Sequence, residues 1–207
     1  MMISAHRHAG RFYRRLAVVL ATSVLSFAHA AVYIIDPRET TANFGVNFLG
    51  LFPIHGQFQR TTGTLNYDRA TRHGSIEVVI DTTTLVASTA HAQASARGMD
   101  FFEVDKYPSI EFKSSRFVFD ENRLAFIEGS LTMVGNTRPV ILNVTDSSCY
   151  AATSTEPARC QATADVVVKR SAFGMKAWAR TVGEEVTIRI AIMARRTKEI
   201  EAQNGDR

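Results

Sequence analysis

Apolar and polar side chains alternate along most of the chain after residue 30. A period of two is typical of β-strands that bury one face and expose the other. Side chains that share an apolar face in this way are Phe44, Val46 and Phe48; Ile76, Val78 and Ile80; and Val186, Ile188, Ile190 and Ile192. Further strands are predicted at 32–36, 56–60, 63–68, 109–119, 124–134, 139–146 and 161–169. A series of about nine or ten short strands favours an antiparallel barrel or sandwich.

Two segments depart from simple alternation. Between Phe112 and Phe117 the apolar positions change from even to odd numbers, which predicts a β-bulge near 114–115. The alanine-rich segment 88–97 has no alternation and is predicted to form a short α-helix that ends at Gly98, in the C′ position. The pattern therefore predicts an all-β fold with one short helix between strands.

The first thirty residues have the features of a secretory signal peptide. Four arginines precede an apolar run of twelve residues, LAVVLATSVLSF, and the sequence A-H-A at 28–30 resembles a cleavage site. The apolar run is too short to span a bilayer. We therefore expect cleavage near Ala30, a single domain over 31–195, and a polar, disordered C-terminal tail over 196–207.

Removing this segment changes the charge of the chain. It holds four of the 24 basic residues and none of the 20 acidic residues, so 20 residues of each sign remain. A formally neutral protein lacks the basic excess that binding to nucleic acid phosphates requires, so no nucleic acid partner is expected. The remaining length is sufficient for one domain with a sizeable core.

The two cysteines, Cys149 and Cys160, flank the polar segment YAATSTEPAR. In an oxidising compartment such a pair is expected to form a structural disulfide. A metal-binding pair or a redox pair is the alternative. Neither is favoured, because no histidine or third cysteine lies nearby and the spacing differs from C-x-x-C.

Motifs of the common enzyme classes are absent from the sequence. His55, His73 and His91 are widely separated, and no G-x-S-x-G, phosphate-binding loop or dinucleotide fingerprint occurs. Asp100 and Glu103 are only three residues apart, whereas acid and base carboxylates usually face each other across a cleft. We therefore predict no catalytic residues, no metal and no cofactor, although distant residues could still assemble a site in space.

Several motifs in order carry a resemblance to a known family. YIIDP, FGVNFLG, HGQF, GTLNYD, VVIDTTTL, GMDFFEVDKYPSIEFKS, GSLTMVGNTRPVIL and RSAFGM resemble, in order and spacing, the YceI-like family of polyisoprenoid-binding proteins. The resemblance covers about 33–194 and implies an extended, lipocalin-like antiparallel β-barrel in the periplasm, whose lumen holds an isoprenoid chain. Where many members carry a histidine, this chain has Phe48, so a polar contact of that histidine is not transferred. The cysteine-flanked loop resembles one branch of the family.

In a barrel of this size, apolar side chains on the strands and loops could line the lumen or fill the core. The predicted lining residues are Phe44, Val46, Phe48, Phe58, Phe101, Phe102, Phe112, Phe126, Leu131, Met133, Phe173 and Trp178. The implied ligand is an isoprenoid lipid, either a polyprenyl chain or an isoprenoid quinone, with transient exchange with a membrane, in a monomer or homodimer. The alternatives are an enzyme that acts on a prenyl lipid through Asp100, Glu103 or His55, and a ligand-free, stress-related scaffold.

Overall fold

A computed structural model describes residues 30–196 of the protein. The strands in this part of the chain are β1 (Ala31–Ile35), β2 (Thr41–Phe48), β3 (Phe52–Phe58), β4 (Thr61–Asp68), β5 (His73–Asp81), β6 (Leu85–Ala87), β7 (Ser109–Asp120), β8 (Arg123–Met133), β9 (Asn136–Tyr150), β10 (Arg159–Lys169) and β11 (Val182–Arg196). One α-helix, α1 (Ala90–Arg97), lies between β6 and β7. Short 3-10 helices occupy Thr82–Thr84 and Arg170–Phe173.

Both ends of the chain lie largely outside the described residues. The predicted signal peptide, apart from Ala30, lies outside the described residues, as does the predicted tail from residue 197 onward. Arg196, which was assigned to the tail, is instead the last residue of β11 and pairs with Tyr33 of β1.

Eight strands close an antiparallel barrel in the order β1, β4, β5, β7, β8, β9, β10 and β11. Closure joins the first strand to the last, with Tyr33 opposite Arg196 and Ile35 opposite Ala194. The other part of β11 pairs with β2, and β2, β3 and β6 continue from it as an extension of the barrel wall. The fold is the predicted all-β, extended lipocalin-like barrel with one short helix.

The local predictions for β7 and α1 are confirmed in their main points. The register between β7 and β8 shifts between Ser114 and Arg116, where a bulge was predicted. The helix begins two residues later than predicted, and the Thr89 hydroxyl caps it by accepting a hydrogen bond from the Ala92 N–H at 3.1 Å. Gly98 ends the helix with φ −75°, in extended rather than left-handed backbone.

A disulfide joins Cys149 and Cys160, as the sequence predicted. The two residues are directly opposite each other in β9 and β10, with a Cα–Cα distance of 4.1 Å. The bridge therefore closes the polar loop between these strands at one end of the barrel.

Candidate ligand-binding cavities

The barrel contains two large apolar cavities arranged end to end. Their volumes are about 470 Å³ and about 440 Å³. Three side chains, Ile80, Leu131 and Ile188, line both cavities, and we call them the waist residues. Because these side chains border both spaces, the two cavities are direct neighbours along the interior of the barrel.

The disulfide-end cavity has a volume of about 470 Å³. Strands β4, β5 and β7 to β11 form its walls, and both disulfide cysteines lie among its lining residues. Its apolar lining includes Leu65, Tyr67, Phe112, Phe117, Leu142, Ile190 and Ile192. The inward face of each strand supplies these side chains because residues two apart point to the same side of a sheet.

The helix-end cavity lies between the β2, β3 and β11 region and α1. The helix contributes His91, Ala92, Ser95 and Ala96, and the small side chains of the last three leave space beneath it. This placement gives the alanine-rich composition of the helix a structural role, because larger side chains here would occupy the cavity.

Three aromatic rings form a cluster on the wall of the helix-end cavity. Phe44, Phe58 and Phe102 lie with ring centroids 5.4 to 5.6 Å apart, and Phe102 meets both partners edge to face. Aromatic pairs at such distances add to the stability gained from burial. The cluster ties the loop after α1 to strands β2 and β3.

Arg170 is the one buried charged residue among residues 30–196. Its guanidinium donates hydrogen bonds to the backbone carbonyl oxygens of Met175, Ala177, Val182 and Gly183, at 2.6 to 3.0 Å. Arg170 also lines the helix-end cavity, with its guanidinium carbon 5.9 Å from the Phe101 ring centroid. The side chain therefore holds the chain between β10 and β11 in place at the wall of this cavity.

Ten of the twelve residues predicted to line the lumen do line a cavity. Phe112 lines the disulfide-end cavity, and Leu131 lines both cavities. The residues in the helix-end cavity are Phe44, Val46, Phe48, Phe58, Phe101, Phe102, Met133 and Trp178. Contact between these side chains and a ligand stays a prediction.

Two of the twelve predicted residues line neither cavity. Phe126 is 42% exposed and lies on the outer face of β8, because its neighbours Ala125 and Ile127 occupy the inner face. Phe173 is buried in the short helix Arg170–Phe173 and lines neither cavity. At both positions, an aromatic side chain was not sufficient to predict a place in the cavity lining.

Some lining residues were not among the predicted site residues. The waist residues Ile80 and Ile188 belong to the alternating apolar pattern, so the pattern could have identified them as lining residues. The same holds for Phe117, which follows the bulge in β7. Arg170 could not, because nothing in the sequence distinguishes a buried arginine from the exposed arginines that usually end strands.

The residues considered for catalysis do not form a paired site. Glu103 forms an ion pair with Lys106 at 3.6 Å, whereas Asp100 accepts a hydrogen bond from the Trp178 indole N–H at 3.0 Å. His55 is exposed on β3. Over residues 30–196, no group of three or more histidine, cysteine or acidic side chains is placed to hold a metal ion. No helix of this part is long and apolar enough to cross a membrane.

Comparisons with known proteins identify the family. A family model described as the YceI-like domain matches residues 33–194. A UPF0312 protein of Vibrio cholerae is 37% identical over 133 residues, which cover 62% of this chain and 70% of that protein. A UPF0312 protein of Pseudomonas syringae pv. tomato is 34% identical over 134 residues, with the same coverage, 62% and 70%.

Solved structures show a similar fold. BcnA of Burkholderia cenocepacia matches with a TM-score of 0.62 and 21% identity over 77% of this chain and 98% of that chain. A polyisoprenoid binding domain from Saccharophagus degradans matches with a TM-score of 0.57 and 15% identity, over 82% and 100%. With the cavities described above and the match over 33–194, the chain belongs to the YceI-like family.

Proposed function

We propose that this protein is a periplasmic binding protein that sequesters or carries an isoprenoid lipid in the interior of its barrel. The observation that carries the proposal is the elongated apolar space formed by the two cavities. A barrel of eight strands is just wide enough to be filled by side chains or to hold one small ligand. Here the inward side chains leave two cavities, each within the range of about 300 to 1,000 Å³ typical of ligand pockets.

The shape of the space favours a long, flexible hydrocarbon. A ligand that occupies both cavities must pass the waist residues, which are all branched aliphatic side chains. A polyprenyl chain or the tail of an isoprenoid quinone can bend through such a constriction, whereas a rigid fused-ring ligand of the same volume cannot. The structural similarity to the Saccharophagus polyisoprenoid binding domain gives further support.

The energetics favour exchange over permanent storage. Burial of apolar groups from water contributes about 0.8 kcal/mol for each methylene, but a prenyl lipid starts from a membrane and not from water. Both environments are apolar, so the net free energy of transfer into the barrel is small. A protein with such a cavity is suited to take up and release its lipid reversibly.

Mass spectrometry of the protein purified from its native host tests this proposal. An organic extract is expected to contain about one prenyl lipid for each barrel, and the released lipid is expected to be chemically unchanged. A protein without lipid, which also fails to bind polyprenols and quinones added in detergent, would overturn the proposal. Conversion of an added prenyl lipid that is lost in Glu103→Ala would favour the enzyme alternative.

The cellular location is tested separately by fractionation of the host. We expect the protein in the periplasmic fraction with an N-terminus near Ala31, because the A-H-A sequence at 28–30 resembles a signal-peptide cleavage site. Recovery from the cytoplasm with residues 1–30 intact would contradict this part of the proposal.

A further inference from the structure

Five large apolar side chains are exposed on loops near the helix-end cavity. Leu49 and Leu51 belong to the turn between β2 and β3, Phe52 is the first residue of β3, Met99 follows α1, and Trp178 precedes β11. Their exposed fractions range from 53% for Leu49 to 82% for Met99. We call these five side chains the apolar rim.

Hydrogen bonds bring the three loops of the apolar rim together. The Leu49 N–H donates to the Thr181 carbonyl oxygen at 2.6 Å, and the Thr181 N–H donates to the Trp178 carbonyl oxygen at 2.9 Å. The Trp178 indole N–H donates to the Asp100 carboxylate, next to Met99 in sequence. The exposed side chains are therefore neighbours on one surface.

This surface borders the opening of the helix-end cavity. Trp178 lines that cavity and is also 59% exposed, so its indole lies where the cavity meets solvent. Phe48, adjacent to Leu49, and Pro53, adjacent to Phe52, line the same cavity. A ligand that enters at this end passes the apolar rim.

The backbone at two rim positions is held in an uncommon conformation. Leu49 has φ 50° and Trp178 has φ 56°, in the left-handed region that bulky side chains rarely occupy. Strained residues of this kind persist where the surrounding structure fixes them, and they cluster at functional sites. At Leu49 and Trp178, the hydrogen bonds described above fix the backbone and leave both side chains exposed.

Charges of both signs lie beside the apolar rim: the Asp100 carboxylate accepts the Trp178 indole N–H, and two basic residues lie on the Trp178 loop. Lys176 and Arg180 are exposed on the same loop as Trp178, and neither forms an ion pair with another residue of the described 30–196. The disulfide end of the barrel is different, because the connections there, 69–72, 121–122 and 151–158, are mostly polar. Tryptophan, exposed apolar side chains and basic residues in one surface are typical of proteins that lie at a membrane interface.

We propose that the apolar rim is a membrane-docking surface for bilayers that contain anionic phospholipid. Insertion of the rim side chains into the interface, with Lys176 and Arg180 at the phosphate groups, places the opening of the helix-end cavity against the bilayer. Delivery of an isoprenoid from that bilayer rests on the proposed function, but docking itself does not. Docking can be measured whether or not the cavities hold a lipid.

The single tryptophan of the chain is a direct reporter for this surface, because it is Trp178. We expect its fluorescence to shift to shorter wavelength when the protein is mixed with vesicles of phosphatidylethanolamine and phosphatidylglycerol, and to be quenched by brominated lipids. Binding to phosphatidylcholine vesicles is expected to be weaker, and salt is expected to weaken only the binding to anionic vesicles.

Matched variants separate docking from general surface effects. Leu51→Glu replaces an exposed rim side chain and is expected to lower vesicle binding about tenfold, the loss that follows from one large apolar side chain that no longer inserts. Val167→Glu introduces the same charge on the barrel wall, where Val167 is 57% exposed, and is expected to leave binding unchanged. Lys176→Glu with Arg180→Glu is expected to remove the preference for anionic vesicles.

Three results would overturn the docking surface. The first is absence of binding to either vesicle type. The second is an equal loss of vesicle binding in Leu51→Glu and Val167→Glu. The third is a dimer in sedimentation velocity that Leu51→Glu dissociates while vesicle binding is absent. The third result would assign the apolar rim to an interface between two copies.

Lipid extraction from the same samples keeps the two proposals distinct. Bound prenyl lipid without vesicle binding refutes docking alone, and vesicle binding without prenyl lipid refutes the proposed function alone.

Discussion

The phenyl ring of Phe44 occupies the space that a side chain on Gly56 would fill. The same relationship occurs twice more in the barrel: a Cβ on Gly129 would lie 2.6 Å from the Phe112 ring, and a Cβ on Gly74 would lie 2.6 Å from the Phe117 ring. Glycine on one strand thus lets a ring from the neighbouring strand lie flat against the wall instead of extending into the lumen.

Gly56→Ala is expected to force the Phe44 ring into the helix-end cavity. Overpacking of this kind costs about 1 to 3 kcal/mol in the free energy of unfolding, and the displaced ring also reduces the space for a ligand. Urea unfolding and the amount of bound lipid measure the two effects. Gly98→Ala is the control, because a Cβ there has its nearest neighbour at 3.3 Å and φ is −75°. Equal destabilisation in both variants would contradict the role of the Phe44 and Gly56 contact.

Leu131→Trp is expected to block the waist between the two cavities. A long prenyl chain would then lose access to one cavity, whereas a short prenyl chain that fits within one cavity would still bind. Competition between short-chain and long-chain prenyl alcohols measures this preference. Ile141→Trp is the control, because Ile141 is 58% exposed on the outer face of β9. Loss of short-chain and long-chain binding to the same extent would indicate that the waist does not separate the two cavities.

Replacement of Cys149 and Cys160 by alanine is expected to lower the free energy of unfolding by about 3 kcal/mol. In the chain-entropy model, this is the contribution of a disulfide that closes a short loop, and here the sequence separation is 11 residues. Urea unfolding of the wild-type protein with and without a reductant measures the effect. The reductant should leave the double-alanine variant unchanged. An equal loss of stability in both proteins would show that the reductant does not act through this disulfide.

Arg170→Met is expected to lower the free energy of unfolding by about 3 kcal/mol, since loss of the guanidinium leaves carbonyl oxygens without donors in a buried setting. Arg170→Lys should recover only part of this loss, because one ammonium cannot reach all four oxygens. Arg189→Met is the control, as its guanidinium is exposed and contacts Asp165 at the surface. Similar unfolding curves for Arg170→Met and Arg189→Met would refute a structural role for the buried side chain.

Glu128 is expected to contribute to the pH dependence of stability. Hydrogen bonds from the Arg116 guanidinium, at 2.6 and 2.9 Å across β7 and β8, lower the pKa of this carboxyl. A lowered pKa in the folded state stabilises the protein above the ordinary pKa of glutamate, and this contribution is lost as the pH falls through the lowered value. Glu128→Gln should therefore reduce the unfolding midpoint at neutral pH and have little effect well below pH ~4.

The control for this prediction is Glu185→Gln on β11, an exposed carboxyl that forms no ion pair within the described chain. Its pH profile of unfolding should match that of the wild-type protein. A Glu128→Gln profile that stays parallel to the wild-type profile at every pH would show that Arg116 does not stabilise the charged form.

Alternation in the sequence predicted the strands of a barrel or sandwich because side chains two apart share a face, and the change of phase in β7 located its bulge. The choice of a barrel came from the family resemblance. The same rule, applied strictly to β8, would have placed Phe126 outside, since Ala125, Ile127, Leu131 and Met133 share the opposite parity. The burial of Arg170 depends on carbonyl oxygens up to 13 residues away, and the waist depends on strands distant in sequence. Such long-range contacts leave no local pattern.

The pairing of β1 with β11 also determines when the lumen can close. Ribosomes make β1 first and β11 last, so the wall of the barrel lacks its closing seam until almost the whole described chain has been synthesised. Loop closure over such a distance is slow compared with the formation of neighbouring hairpins. The lumen therefore becomes enclosed only after β11 has been synthesised, and no lipid can be fully enclosed by the barrel before that point.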